Sequence, residues 1–281
     1  MTPSNDIPLP LEDSGLSSAG RTIAVGDIHG CLAALQGLLN QIGPGPTDWL
    51  IVLGDVINRG PDSRDVIDRL LQLRRECRLT VLLGNHELAL LDAGLERWHE
   101  RCPDADFPLD EFGNDERAAA WEPCREMGGE ATLRSYGWPR PASVMPAAHV
   151  GLICECRLYV ETETHIFVHA GVAPNLPMEH QAASDLLWQP VDSAHATPHY
   201  SGKTVICGHS HQADRRVLDL KFLQCIDTGC GTGGCLTALD AVRGTIWQAD
   251  ENGRRLNPAP PRTTAATETD DNRDDKRHPA T

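Results

Sequence analysis

The chain is short of three things: long apolar runs, basic charge and paired cysteines. Each shortage removes a class of protein. No stretch of the 281 residues approaches the roughly 20 consecutive apolar residues that a membrane-spanning helix needs. Residues 1–20 lack the basic start and apolar centre of a secretory signal. A cytoplasmic protein with no membrane partner is therefore expected. The formal net charge is −15, and since the segment from Glu251 onward balances, the whole deficit lies in residues 1–250, with 34 acids against 19 bases. That sign disfavours stable nucleic-acid binding. It suits carboxylates that hold cations, which then attract an anion locally. The ten cysteines form no regular framework and lack the paired spacing of a structural zinc site. Several, such as Cys207 and Cys225, lie in apolar strand-like runs and read as reduced core residues.

What the chain does contain is a recurring junction, an apolar run that stops at a polar residue beside glycine. Arg21 to Val25 leads into Gly26-Asp27-Ile28-His29-Gly30. The same form returns in Val52-Leu53-Gly54-Asp55, in Leu82-Leu83-Gly84-Asn85-His86-Glu87 and in Val205-Ile206-Cys207-Gly208-His209-Ser210-His211. Ile166-Phe167-Val168-His169-Ala170-Gly171 differs only in placing its glycine after the polar residue. Alternation in extended backbone predicts that Asp27 and His29 point to one side. Five such ends could converge on one cluster.

Length allows one large α/β domain or two small ones, with a substantial core. Residues 1–20 read as a flexible arm and residues 254–281 as a disordered tail, both from composition. Between them, strand and helix alternate. Leu32, Leu35, Leu38 and Leu39 have helical spacing before Gly43-Pro44, a strand runs from Trp49 to Leu53, and Val66, Ile67, Leu70 and Leu73 mark a second helix. A third strand spans Leu79 to Leu83, with a helix from near Leu88. That order predicts a largely parallel sheet with its ligands at the carboxyl ends of the strands. Residues 94–148, with Trp98, Trp121 and Trp138, read as a mostly helical insertion over the mouth of the site, with Arg134 and Tyr136 as candidate substrate contacts. After Arg157 come short strands separated by turn residues, which predict a second sheet, mainly of hairpins, packed on the first.

Carboxylate, amide oxygen and imidazole are the donors that hard divalent or trivalent cations prefer. Two neighbouring cations need a shared ligand, and Asp55 is the natural bridge. Such a pair clamps phosphate oxygens and lowers the pKa of a water between the ions, which suits phosphoryl hydrolysis. His86, next to Asn85, is placed to protonate the leaving oxygen. A lone strand-end Asp or His more often caps a helix or satisfies a loop; five together are hard to attribute to caps. His99, His149, His165, His180, His195, His199 and His278 lack that setting and read as structural or solvated.

These motifs resemble, in order and spacing, those of the calcineurin-like metallophosphoesterases, and most closely the PPP-type serine/threonine protein phosphatases with their bacterial relatives. The resemblance runs from about Arg21 to Gly253 and includes Asp185-Leu-Leu-Trp188 and Cys225-Ile-Asp-Thr-Gly229. It implies an α/β sandwich of two mixed β-sheets flanked by helices. It further implies two cations, manganese, iron or zinc, one held by Asp27, His29 and Asp55 and the other by Asp55, Asn85, His169 and His209. His86 would be the general acid and Arg59 a phosphate clamp, a task suited to its planar fork.

Three departures stand out. Asn58 replaces the Asp that orients the catalytic His in protein phosphatases of this type, which weakens His86 as a proton carrier. Gln189-Pro190 stands where many relatives have a second phosphate-binding Arg nearby, leaving Arg59 with a residue of the insertion such as Arg134. Gly208-His209-Ser210-His211 carries the paired His of the wider superfamily, so His211 is either an extra ligand or a residue outside the ligand set. The first functional expectation is a metal-dependent phosphatase acting on phosphomonoesters, with phosphoserine or phosphothreonine proteins or small phosphoesters as partners. The alternatives are a symmetrical diadenosine tetraphosphate hydrolase, whose members also lack the Asp at position 58, and a low-activity protein that binds metal and phosphate.

Overall fold

In the computed structural model, which describes residues 20–92, 122–138 and 145–263, the first half of the chain builds three parallel strands. β1 (Thr22–Val25), β2 (Trp49–Val52) and β3 (Arg78–Val81) are separated by helices α1 (Leu32–Ile42) and α2 (Ser63–Leu73). α1 buries Ala34, Leu35, Leu38, Leu39 and Ile42, the helical stripe read from the sequence, and stops at Gly43, whose φ of 55° turns its N–H back to the Leu39 carbonyl. The registers Val25↔Val52 and Val52↔Val81 make the three strands finish level. Their polar successors therefore emerge at one edge.

Helix α3 (Asn85–Asp92) starts three residues earlier than the spacing predicts. Glu87 explains this, since its carboxylate reaches back to the Gly84 N–H at 3.1 Å and caps the first turn. His86 thereby sits in helical backbone.

The second half divides between two sheets, which corrects the expectation of one separate sheet of hairpins. β4 (Tyr159–Glu161), β5 (His165–Val168), β6 (Thr204–Cys207), β7 (Leu218–Asp219) and β8 (Leu223–Cys225) form one sheet in the order β4-β5-β6-β8-β7. Its centre, β5-β6-β8, is parallel. β9 (Cys235–Asp240), β10 (Ile246–Asp250) and β11 (Arg255–Leu256) return to the first sheet, giving β11-β10-β9-β1-β2-β3, with β9 antiparallel to β1. Both sheets are mixed, as the resemblance implies.

Ala24, Ile51, Leu53, Phe167, Ile206, Ile226 and Leu239 fill the space between the sheets. Burial of one such large side chain stabilises the fold by about 1.5–3 kcal/mol. α1, α2 and α3 pack on the outer face of the first sheet, and Leu186 of α6 (Ala183–Trp188) packs beneath the second.

Of the insertion, α4 (Gly129–Ser135) and the start of α5 (Ala147–Cys154) are described, while Trp98 and Trp121 lie outside the described residues. Tyr136, a candidate substrate contact, is instead buried with its hydroxyl 2.8 Å from His149 Nδ1. The segment 254–263, assigned from composition to the disordered tail, continues the fold. β11 pairs with β10, and Arg262 exchanges backbone bonds with Val217 and Asp219. Residues 1–19 and 264–281 lie outside the described residues. Among the described residues, no helix is long and apolar enough to cross a membrane.

Candidate metal centre

The five strand ends do meet, but backbone alternation is not what aims their side chains. Past β1 the chain turns back, so that the N–H groups of Ile28 and His29 both bond the Asp55 carbonyl, at 3.0 and 2.8 Å, and His29 adopts a left-handed φ of 47°. Asp55, Asn58, Arg59 and His209 share that conformation, so among the described residues five of the seven non-glycine residues with positive φ belong to this one region. The left-handed form costs an L residue about 1–2 kcal/mol. It persists where surrounding bonds enforce it, and such strain concentrates at functional sites.

Glu87 provides the enforcement. Fully buried, it accepts the N–H groups of Asp55, Val56 and Ile57 at 2.8, 2.9 and 3.2 Å, in addition to that of Gly84. Gly84 is needed for the close approach, since a Cβ there would stand 2.1 Å from Asp55 Oδ1. Gly208 has the same task against Asp27, at 2.1 Å.

Three imidazoles are turned by backbone carbonyls. His29 Nδ1 faces the Ile57 carbonyl at 3.1 Å and His169 Nδ1 the Leu53 carbonyl at 2.8 Å, while the His209 ring bonds the Trp188 backbone. Burial lowers all three below the ordinary imidazole range, to about 3 for His29 and about 4 for His169 and His209. A neutral ring that donates one N–H to a carbonyl keeps a lone pair on its other nitrogen, Nε2 in His29 and His169 and Nδ1 in His209, the usual arrangement of a ligating histidine.

Those lone pairs converge on oxygen. His169 Nε2 lies 2.9 Å from Asn85 Oδ1 and 3.6 Å from Asp55 Oδ1; His209 Nδ1 lies 3.1 Å from the same Asn85 oxygen; and His29 Nε2 lies 3.7 Å from Asp55 Oδ2. Acceptors facing acceptors repel one another unless a cation or proton lies between them. The ligand atoms of Asp55, His169 and His209 lie within 4.8 Å of one another, as do those of His29, Asp55 and His86, so Asp55 belongs to both groups. The donor set fits a hard or borderline cation. Asp55 itself is pushed up to about 7, first by burial, with the His86 N–H and the Arg59 charge pulling the other way.

Asp27 falls in neither group; both its oxygens accept the His209 N–H, at 3.2 and 3.1 Å. Its carboxyl is raised well above the usual range by burial, then by Asp227 and Asp55.

His86 has a different surrounding. Its Nδ1 is 2.9 Å from Asn58 Nδ2, and Asn58 Oδ1 accepts the Thr132 hydroxyl at 2.7 Å. That fixes the amide so that it donates to Nδ1, which places the imidazole proton on Nε2, 3.7 Å from Asp55 Oδ2. Burial, then the neighbouring His29 and Arg59, hold His86 far below the ordinary imidazole range. Arg59 spans the group, with Nη1 2.8 Å from His29 Nε2 and Nη2 3.4 Å from His86 Nε2.

Comparison with known proteins bears on this arrangement. The family model for the calcineurin-like phosphoesterases matches residues 20–213. The chain belongs to that family. Among curated relatives, a symmetrical bis(5'-nucleosyl)-tetraphosphatase of Acidovorax sp. (strain JS42) is 53% identical over 70 residues, 25% of this chain and 24% of the relative. One of the same name from Nitrosomonas europaea is 29% identical over 159 residues, 56% of this chain and 47% of its own. The chain thus spans a quarter to a half of these relatives. A solved structure provisionally described as a diadenosine tetraphosphatase aligns over 86% of this chain and 96% of its own, with a TM-score of 0.58 and 22% identity. A cold-active protein-tyrosine phosphatase of a Shewanella species aligns over 85% and 80%, with a TM-score of 0.54 and 14% identity. At those identities the likeness is one of fold.

In this chain, then, His29, Asp55, Asn58, Arg59, Asn85, His86, His169 and His209 are brought together, with Asp27 one bond behind. Arg134 is not; it lies exposed on α4, paired with Glu130 at 3.3 Å. His211 is about half exposed, with Nδ1 3.9 Å from Asp227 Oδ2, and stands outside both ligand groups. Sequence reasoning missed three neighbours. Thr132 orients Asn58, Met127 Sδ accepts from Asn85 Nδ2 at 3.4 Å, and Asp227 is a buried carboxylate beside Asp27. The first two come from the insertion, where apolar and hydroxyl residues carried no pattern. Asp227 had a signal in Asp-Thr-Gly229, an acid followed closely by glycine after an apolar strand.

Proposed function

We propose that this metallophosphoesterase, with divalent cations bound, hydrolyses a dinucleoside tetraphosphate symmetrically, releasing two nucleoside diphosphates. His29, Asp55, Asn85, His169 and His209 would hold the cations, which would supply positive charge to the phosphate oxygens and acidify a water. The chain's own groups do the rest. Arg59 offers its fork to a phosphate, held beside His29 and His86. His86 presents Nε2–H as a hydrogen-bond donor to the departing oxygen, while Asn58 and Thr132 fix the ring.

The observation that carries the choice of substrate is the amide on His86. A serine or threonine alkoxide leaves only with a proton, so its expulsion needs an imidazolium, which a carboxylate partner would stabilise. Asn58 gives none. A nucleoside diphosphate leaves as a phosphate whose own second pKa is about 6, so a hydrogen bond from neutral His86 suffices. The names of the curated relatives support the same substrate. This reading puts the phosphoanhydride ahead of the phosphoserine expected first from the sequence.

The test is a parallel assay of the purified chain with MnCl2 on diadenosine tetraphosphate, a phosphoserine peptide and p-nitrophenyl phosphate. The dinucleotide should give ADP as sole product with the highest kcat/KM. Faster turnover of the phosphopeptide refutes the proposal. No turnover of any substrate, unchanged in Asp55→Asn, would favour the binding-protein alternative.

A further inference from the structure

Between residues 189–197 and the second sheet lies a cavity of about 280 Å3, whose lining includes Val172, Pro190, Val191 and Val205 with the polar Gln189 and Thr197. Three links tie it to the centre. Gly171, in its wall, follows His169 by two residues, at most about 7 Å of chain, and a Cβ there would stand 2.9 Å from the Gln189 carbonyl oxygen. The Val191 N–H donates to Ser210 Oγ at 2.9 Å, and Ser210 follows His209. Trp188, next to Gln189, bonds the His209 ring through its backbone, yet the residue is 44% exposed, so the fold leaves a large aromatic surface in water beside the centre. Among the described residues, the cavity lining has no lysine or arginine, and its one imidazole, His195, lies 2.6 Å from the Asp192 carboxylate. Such a cavity does not draw a phosphate. Apolar walls with an amide and a hydroxyl suit a neutral planar group, and the volume is just below the roughly 300–1,000 Å3 of sites for whole drug-sized ligands. A nucleobase is of the right size and polarity.

We propose that this cavity, with the exposed indole of Trp188 beside it, is the subsite for one nucleoside of the substrate. The indole and the apolar walls take the faces of the base, and Gln189 and Thr197 take its edge, while the diphosphate reaches Arg59 and the cation ligands. This rests on the dinucleoside tetraphosphate reading above and adds to it a place for the nucleoside. Symmetrical cleavage leaves a diphosphate on each nucleoside, so the base stands two phosphates and a ribose from the bond that breaks. It therefore belongs beyond Gly171 and Ser210 rather than among the ligands.

Calorimetry on the full chain with MnCl2 compares ADP with inorganic pyrophosphate. Pyrophosphate reads the phosphate site alone, so the ratio of the two affinities reads the nucleoside and cancels any general weakening of the centre. The parent should bind ADP more tightly. Stacking of one base on an aromatic side chain is worth roughly five- to a hundredfold in affinity, so Trp188→Ala should lower the ratio by about that factor, and Trp188→Phe should keep most of it. Ala196→Leu, which fills the cavity from its wall, should lower the ratio as well. Equal affinities in the parent overturn the proposal, as does a ratio that either Trp188→Ala or Ala196→Leu leaves unmoved. A phosphoserine peptide held more tightly than ADP, and weakened by the same variants, would mark a peptide surface and also overturn it. A parent that prefers ADP yet leaves diadenosine tetraphosphate intact refutes the tetraphosphate reading and not the subsite, a different failure.

Discussion

Asn58→Asp is the sharpest single change available, because one atom converts the partner of His86 from a donor into a charged acceptor. Asn58 is fully buried, and its Nδ2 is 2.9 Å from His86 Nδ1. A carboxylate oxygen in that place would draw the imidazole proton to Nδ1 and stabilise the imidazolium. At an effective dielectric of about 20, opposite charges about 4 Å apart attract by about 4 kcal/mol, roughly a thousandfold in the protonation equilibrium. Desolvation of the new carboxylate reduces this, so a gain of about tenfold to a hundredfold in the charged fraction is the working expectation. Thr132 can keep donating to the other oxygen, which limits structural damage. The assay compares kcat/KM across aryl and alkyl phosphate monoesters of graded leaving-group pKa, from pH 5 to 9, with MnCl2. The variant should gain most on the poorest leaving groups, flattening the dependence on leaving-group pKa, and gain nothing on diadenosine tetraphosphate. An unchanged slope with intact folding would show that the partner of His86 does not govern its acidity, and the argument for a phosphoanhydride substrate would fall with it.

Two further outcomes follow from buried charges. Burial pushes Asp55 up to about 7 and Glu87 up to about 8, each above the ordinary carboxylate range, so in EDTA both hold protons in the folded chain that they lack in the unfolded one. Below about pH 6.5 the buried His29, His86, His169 and His209, lowered by the same burial, oppose this. The carboxyls therefore govern from about pH 6.5 to 8, where stability falls as pH rises; a Tm in EDTA that climbs from pH 7 to 8 would contradict this. Separately, Asp48 accepts from the Arg21 N–H, Nε and Nη2 at 2.9, 3.1 and 2.6 Å and from the Gly45 N–H at 2.8 Å, and the Arg21 guanidinium holds its carboxyl below the usual range. Asp48→Ala should cost about 1.5–3 kcal/mol at neutral pH, less for the partly exposed Arg21, and lower the Tm by several degrees; an unchanged melting curve would show the contact to be idle.

Residues 20–92 were legible because their signals are local. Leu35, Leu38 and Leu39 repeat with the helix, Leu53 and Leu83 end apolar runs, and glycine marks each turn. The residues gathered at the candidate centre were legible for the same reason, as each stands one or two positions from a glycine that close approach demands. Strand partners carry no local signal. Nothing in Cys235–Asp240 says that it will lie against β1 rather than continue the sheet of β8. Asp27 and His29 reached the centre through a left-handed turn that alternation does not foresee. Arg134 failed because helical phase, which places it on the outer face of α4 beside Glu130, outweighs its closeness in sequence to Thr132. The start of α3 was misplaced by a long-range cause, a glutamate recruited by the backbone of another loop.

The insertion of β9 between β1 and β10 has a consequence for how the molecule comes into being. β1 emerges early during synthesis, yet one of its two neighbours, the strand that matches Val25 with Ala238, arrives more than two hundred residues later. Until then the edge of the nascent sheet is open, with its backbone groups available to other chains. Pairing at such separation is slow, because loop closure precedes its reward. The three parallel strands are therefore translated well before the strand that seals them, and chaperone demand during synthesis should concentrate in that interval.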